Sequence, residues 1–206
     1  VSTDQPPPSS GHGPVAHASY WILGVVSFVC AALDLGTKHW AKANLEGYDP
    51  ATLGPKKLEL IPGYLQFVFA QNPGGAWSFL RSLHEVLRRP FFLFVSAAAI
   101  VFIVSVYGRI DRRHWALVWG LPLALGGAIG NLVDRMRYGW VIDFVDFYVV
   151  RDGREMHWPT YNVADVFIVV GVGMMGVDMV LGLGRGGGSR ASDERPAPAP
   201  SSDGSG

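Results

Sequence analysis

One cysteine, Cys30, stands in 206 residues. It excludes an intramolecular disulfide and a cysteine-rich zinc site, and it leaves the redox compartment open. Charge is also scarce. Asp, Glu, Lys and Arg make up 17% of the chain, well below the level of soluble domains. Seventeen basic residues balance seventeen acidic ones, so net charge points to no nucleic-acid partner. The histidines (His12, His17, His39, His84, His114 and His157) form no HxxxH pair, so no metal site is expected. The first nineteen residues carry no Lys or Arg, unlike the basic start of a secretory signal. No repeat of solenoid period is present.

What is abundant is apolar. Hydrophobic residues are 49% of the chain and mean hydropathy is +0.23. The length suggests one domain. Residues 1–19 and the end from about Gly184 are rich in Pro, Ser and Gly, and they read as disordered tails. Four apolar runs lie between them: Tyr20–Leu33, extendable through Ala43, then Pro90–Tyr107, Trp115–Val133 and Val166–Leu183. A spanning helix needs about 17–25 residues. The first run qualifies only if it takes in Asp34 and Lys38, which share a helix face at i, i+4 and can pair. In the third, Gly126 and Gly130 form a small-residue face for another helix, and Pro122 can kink the helix without breaking it. Tyr20, Trp21, Trp40, Tyr107, Trp115 and Trp158 read as interface anchors.

Two segments between helices read as extended. Tyr64–Ala70 follows a Pro-Gly turn signal, and Val141–Val150 runs into Asp152-Gly153, a hairpin signal. A small sheet against the membrane surface is expected, on the same side as the carboxylates. Four spans place both tails on one side and both large loops on the other. Charge does not orient them: Arg109, Arg112 and Arg113 mark the short loop, yet eleven of seventeen Lys/Arg fall in the large loops or at their helix ends.

The carboxylates need an explanation, because charge is expensive in hydrocarbon. Asn131, Asp134 and Arg135 end the third run, Asp143 follows, and Asp165 sits at the mouth of the fourth. Two Asp residues brought together can share one proton and activate a water. Bland readings stand beside this one. Asp165 after Asn162 fits an N-terminal cap, Asp143 fits a solvent-facing strand position, and Asp134–Arg135 fits a structural ion pair. Asp146 is the nearest competitor to Asp143 and reads as loop structure. Asp178 reads as an interfacial or helix-packing residue. A small transporter or proton relay built on intramembrane carboxylates is the alternative function, and a non-enzymatic scaffold a further one.

Five blocks in order carry a resemblance: Asp34–Lys38 (DLGTK), Asn72–Leu80 (NPGGAWSFL), Gly126–Arg135 (GGAIGNLVDR), Val141–Phe144 (VIDF) and Asn162–Asp165 (NVAD). Together the blocks resemble signal peptidase II, the bacterial membrane aspartyl protease family that processes lipoproteins. The resemblance implies an all-α bundle of four transmembrane helices with a small extracytoplasmic β-sheet or cradle. It implies Asp143 and Asp165 as the catalytic pair, at the outer face of the cytoplasmic membrane, with both termini inside. The implied substrate is a prolipoprotein whose Cys carries diacylglycerol, cut on the amino side of that Cys. The implied surroundings are membrane lipid, sensitivity to the cyclic peptide globomycin, no cofactor and a monomer. Asn131, Asp134 and Arg135 are expected to shape the site and hold substrate backbone, with Gly74 and Ala164 beside them. Asn72 is expected to bind substrate backbone and Asn162 to orient Asp165. Asp34 and Lys38 are expected to tie the first helix to the outer loop. One departure stands in the second block, where Gly75, Ala76 and Trp77 replace the family's usual two alanines and Phe.

Overall fold

The computed structural model describes residues 17–74 and 85–186. The second block from Gly75 onward, with its Gly75–Trp77 departure, and nearly all of both tails lie outside these residues. At the inner end of the first tail, the Ala18 N–H donates to the Ile110 carbonyl at 2.8 Å.

Four helices dominate: α1 (Tyr20–Leu45), α2 (Glu85–Tyr107), α3 (Trp115–Tyr138) and α4 (Val163–Gly186). All four are long and apolar enough to cross a membrane. α3 is the central one. Its apolar window is 61% buried, against 28% or less for the others, and it packs on α1, α2 and α4. The outer faces of the others carry exposed Phe28, Phe94, Phe102 and Val169, as lipid-facing helices do.

α1 runs well past Leu33. Asp34 and Lys38 sit inside it and pair at 2.8 Å, so the charges neutralise each other and the helix continues. α3 stops at Gly139, whose φ of +84° reverses the chain as its N–H caps the Arg135 carbonyl. Pro122 lies inside α3. A proline frees the carbonyl four residues earlier, here that of Val118. The Tyr107 hydroxyl donates to that oxygen at 3.0 Å. Tyr107 is therefore no interface anchor. It is fully buried and closes a hydrogen bond that Pro122 opens. Tyr20, Trp21 and Trp115 are exposed near helix ends.

The segment after α1 forms β1 (Tyr48–Asp49), β2 (Gly54–Pro55), β3 (Lys57–Ile61) and β4 (Leu65–Asn72). The segment after α3 forms β5 (Val141–Arg151) and β6 (Arg154–His157). The sheet order is β3-β4-β5-β6, all antiparallel, and β1 pairs with β2 separately. The β5–β6 turn has φ of +53° at Asp152 and +72° at Gly153, which is why Asp-Gly stands there.

Ile142, Phe144, Ala41 and Leu45 form a buried cluster that fastens the sheet to the end of α1, with Phe67 and Trp140 packed on it. Leu45, Ile142 and Phe144, taken out of water, each contribute about 1.5–3 kcal/mol. β5 is buried on both faces from Val141 to Phe144. Period-2 alternation therefore fails where Asp143 sits.

Candidate active site

Asp143 is the third residue of β5 and Asp165 the third of α4. One short bridge brings them together. The Tyr161 carbonyl accepts the N–H groups of Phe144 at 3.1 Å and Val145 at 2.9 Å. The residue before Asn162 is thus fixed to the residue after Asp143.

Asn162 caps α4. Its Oδ1 accepts the Asp165 N–H at 3.1 Å, and its own N–H donates to Asp165 Oδ2 at 3.2 Å. This is a reciprocal capping box. The cap leaves the Asn162 Nδ2 group free, and it donates to Asp143 Oδ1 at 2.7 Å. One asparagine therefore caps the helix and joins the two aspartates. The cap reading and the orienting reading of these residues describe the same bonds. Asn131 supplies a second link: its Nδ2 donates to Asp165 Oδ1 at 3.0 Å, and its Oδ1 accepts from Asn162 Nδ2 at 3.3 Å.

Several assignments change on this geometry. The Asn72 amide is spent on Asp143 Oδ2 at 2.9 Å and its carbonyl on the Gly74 N–H, so it positions a carboxylate. Asp134 is 2% exposed and accepts the Ile142 N–H at 3.0 Å. It stands 3.2 Å from Lys38, which makes Lys38, and not Arg135, its ionic partner. Asp134 is therefore part of the frame and is not open to substrate. Among the described residues, Asp34 and Lys38 pair with α3 and the start of α4 and with no loop residue. Asp34 Oδ1 accepts the N–H of Ala164 at 2.8 Å, so the pair ties α1 to α3 and to the start of α4. Asp146 is strand and not loop. It is buried in β5 and accepts from Gln66 at 2.7 Å, with His157 at 2.8 Å. Asp178 contacts His114 at 2.7 Å, joining α4 to the start of α3.

Gly126 and Gly130 face α1. A Cβ at Gly126 would press on Ser27 and Cys30, and one at Gly130 on the Asp34 carboxylate. Gly74 has φ +105° and the Phe92 ring lies against it, so neither its conformation nor its space admits a side chain.

Asp143 is fully buried. Burial first, and the Asp165 charge second, push its carboxyl up from 3.8 to about 7. The amides of Asn72 and Asn162 and the Lys38 ammonium pull the other way. Two carboxylates held this way cannot both ionise cheaply, so the pair retains one proton near neutral pH.

Access is one-sided. A cavity of about 540 Å³ is lined by Asp165, Arg135, Asn72, Trp158, Tyr161 and Val169. A second, of about 450 Å³ and mostly apolar, runs between α2, α3 and α4, with Asp165 and Arg135 among its lining residues. Asp165 lines both, and Asp143 lines neither. Arg135 donates to the Asn131 carbonyl at 3.3 Å and lies over the Phe92 ring at 5.3 Å. Trp158 and Tyr161 were not singled out as site residues, because nothing marks a loop aromatic as a wall of a cavity. The Tyr161 hydroxyl is itself pushed up by burial.

Asn162→Ala should separate geometry from stability. Loss of a cap costs about 0.5–2 kcal/mol. If the two aspartates work as a catalytic pair, loss of the link between them should cost about 100-fold in turnover. Thermal melting and kcat measured on the same sample check this.

The profile of the family described as signal peptidase (SPase) II matches residues 26–181. Proteins named lipoprotein signal peptidase are similar over most of their length. That of Anaeromyxobacter sp. is 40% identical, over 76% of this chain and 84% of that protein. Those of Desulforapulum autotrophicum and Geobacter metallireducens are each 36% identical, over 73% and 79% of this chain and 86% and 92% of theirs. A solved bacterial membrane enzyme shares the fold at TM-score 0.63 and 21% identity, covering 87% of this chain and 99% of that one. A second does so at TM-score 0.61 and 20% identity, covering 83% and 97%. The matched span holds all four helices' apolar cores, both aspartates and both linking asparagines, and on that match the chain belongs to the signal peptidase II family.

Proposed function

We propose that this chain is an aspartyl endopeptidase that removes the signal peptide from diacylglyceryl-modified prolipoproteins, cutting on the amino side of the lipidated Cys. One observation carries the reading: Asp143 and Asp165, on different elements, are joined through Asn162, and Asp165 stands at the rim of an apolar cavity. The lipid and the apolar signal peptide suit that cavity and the surrounding bilayer. The names of the related proteins supply the substrate class.

The two aspartates take unequal roles. Asp165 faces the cavities, so it is the ionised base that takes a proton from water as the water attacks the scissile carbonyl. Asp143 is buried and carries the proton, which it directs toward the developing oxyanion. As the intermediate collapses the C–N bond breaks, Asp165 passes the proton it took from water to the leaving amine, and the oxyanion reverts to a carbonyl, so water and the two carboxyls suffice with no covalent enzyme intermediate. Arg135 in the cavity wall holds substrate backbone. Helices α2, α3 and α4 limit bulk water at the pair.

The proposed setting is the bacterial cytoplasmic membrane, with the sheet and the aspartates at the outer face and both termini cytoplasmic. An even number of spans supports the shared side of the termini, and an exported precursor supports the outer face. Residues 20–183 form the peptidase body and the flanking tails lie outside it. The proposed state is a monomer. Globomycin is the proposed inhibitor.

Turnover should depend on pH through the one shared proton. Below about pH 7 Asp143 keeps its proton and the pair is active. As pH rises through about 7, that proton leaves, both carboxyls are charged and kcat falls. A kcat profile from pH 6 to 9 should fall as pH rises through about 7, and a flat profile would contradict the assignment. Reconstitution into vesicles separates this reading from a proton relay. Vesicles holding the protein and a lipidated precursor should show cleavage and no imposed-gradient proton flux above empty vesicles. Flux without cleavage would favour the relay.

A further inference from the structure

We propose that Lys38 is a positioning residue for hydrolysis, whose ammonium fixes the frame from which both aspartates are held. The proposal rests on the two-aspartate reading above.

Lys38 is 1% exposed. Its ammonium donates to Asn131 Oδ1 at 2.7 Å and pairs ionically with Asp34 Oδ2 at 2.8 Å and Asp134 Oδ2 at 3.2 Å. Each acceptor then acts on the pair. Asp34 accepts the N–H of Ala164, the residue just before Asp165. Asp134 accepts the N–H of Ile142, the residue just before Asp143. Each aspartate thus follows a peptide pinned by a carboxylate, and one ammonium holds both carboxylates. Asn131 completes the arrangement. An amide has one accepting and one donating end. Because Lys38 takes the accepting end, the donating end must point at Asp165, where it bonds at 3.0 Å. A simple tie between helices would need neither the paired peptides nor the oriented amide.

The charged groups that act on Asp143 are Lys38 of α1, Arg135 of α3 and Asp165 of α4, Asp34 and Asp134 are paired with Lys38, and β4 brings the neutral Asn72. Lys38 lowers the cost of charge on Asp143. Its removal should move the alkaline limb of the kcat profile upward.

The test compares wild type, Lys38→Met, Asp134→Asn and Asp143→Asn as full chains in detergent, on a diacylglyceryl-modified precursor peptide. Folded fraction, kcat, KM and the pH profile are read for each. Lys38→Met should lose about 100-fold in kcat per folded molecule with KM within about threefold. Its alkaline limb should rise by about 0.5 pH unit or more. Removing one member of a buried ion cluster strains the fold, so Asp134→Asn stands beside it. Its amide oxygen still accepts the Ile142 N–H, and it loses only the charge that Lys38 holds. It should lose about tenfold in kcat, with the alkaline limb displaced downward, opposite to Lys38→Met.

Folded variants with the wild-type kcat and pH profile overturn the proposal. So do losses that the folded fraction accounts for in both. If Asp143→Asn cleaves at the wild-type rate, the two-aspartate reading fails and the positioning role falls with it. If Asp143→Asn is inactive while Lys38→Met is unimpaired, the positioning role alone fails.

Discussion

Asp143→Asn and Asp165→Asn should each leave less than about one-thousandth of wild-type turnover. General acid or base action contributes about 10²–10⁴-fold, and in the proposed mechanism Asp165 activates the water while Asp143 carries the proton. The folded state should survive. An Asn at 143 still offers an oxygen to the Asn162 or the Asn72 amide, which bond it at 2.7 and 2.9 Å. It also removes the cost of burying a carboxylate, so Asp143→Asn should melt no lower than wild type. Asp165→Asn keeps an oxygen for Asn131 Nδ2, so the cap of α4 persists in part. Substrate binding should change little, because Arg135 and the apolar cavity are untouched. The signature is a collapse of kcat with KM nearly constant, read from initial rates on a lipidated precursor. Asp146→Asn should keep most activity. That side chain faces Gln66 and His157, away from the cavity that Asp165 lines.

Gly127→Val should damage fold and turnover together. A Cβ at Gly127 would lie 2.5 Å from the Ala164 carbonyl oxygen and 2.8 Å from Ile168. The first is backbone and cannot rotate aside, so α3 and α4 must separate. Overpacking of this kind costs about 1–3 kcal/mol, occasionally more, and the melting temperature should fall by several degrees. The separation falls at the residue before Asp165, so the folded fraction should also turn over more slowly. Gly173→Ala, where nothing lies within 4 Å of the added carbon, should melt and cleave as wild type does. Parallel melts and cleavage rates of the two variants check both statements.

The helices were legible because an apolar run long enough to span hydrocarbon has few other uses. Their ends were less legible. α1 continues through Asp34 and Lys38 because these two charges satisfy each other and face α3, and hydropathy alone stops at Leu33. β4 and β5 were visible as aromatic and β-branched stretches. β1, β2 and β3 were not, since β1 and β2 have two residues each and β3 is exposed throughout. The Asp-Gly hairpin was read correctly because its two positive φ values demand such residues.

The residues that the fold gathers were marked in the sequence, and their wiring was not. The resemblance of VIDF and NVAD, in order after the helix end, pointed to Asp143 and Asp165, which the fold joins through Asn162. Nothing in the order shows that Asn72 and Asn162 spend their amides on Asp143, or that Asp134 pairs with Lys38 across 96 positions and not with the adjacent Arg135. Long-range partners follow from how α1 lies on α3, which the sequence pattern does not encode locally. Tyr107 shows the same limit. A tyrosine at a run end reads as an anchor, and only the register of α2 on α3 reveals that it meets the carbonyl freed by Pro122.

The most direct measurement is the mass of the product released from one precursor supplied with and without diacylglycerol on its Cys. The account predicts that the lipidated form alone is cut, giving a mature fragment that begins at the modified Cys and a signal peptide that ends at the residue before it. Equal cutting of the unlipidated form, or a cut at another bond, would contradict it.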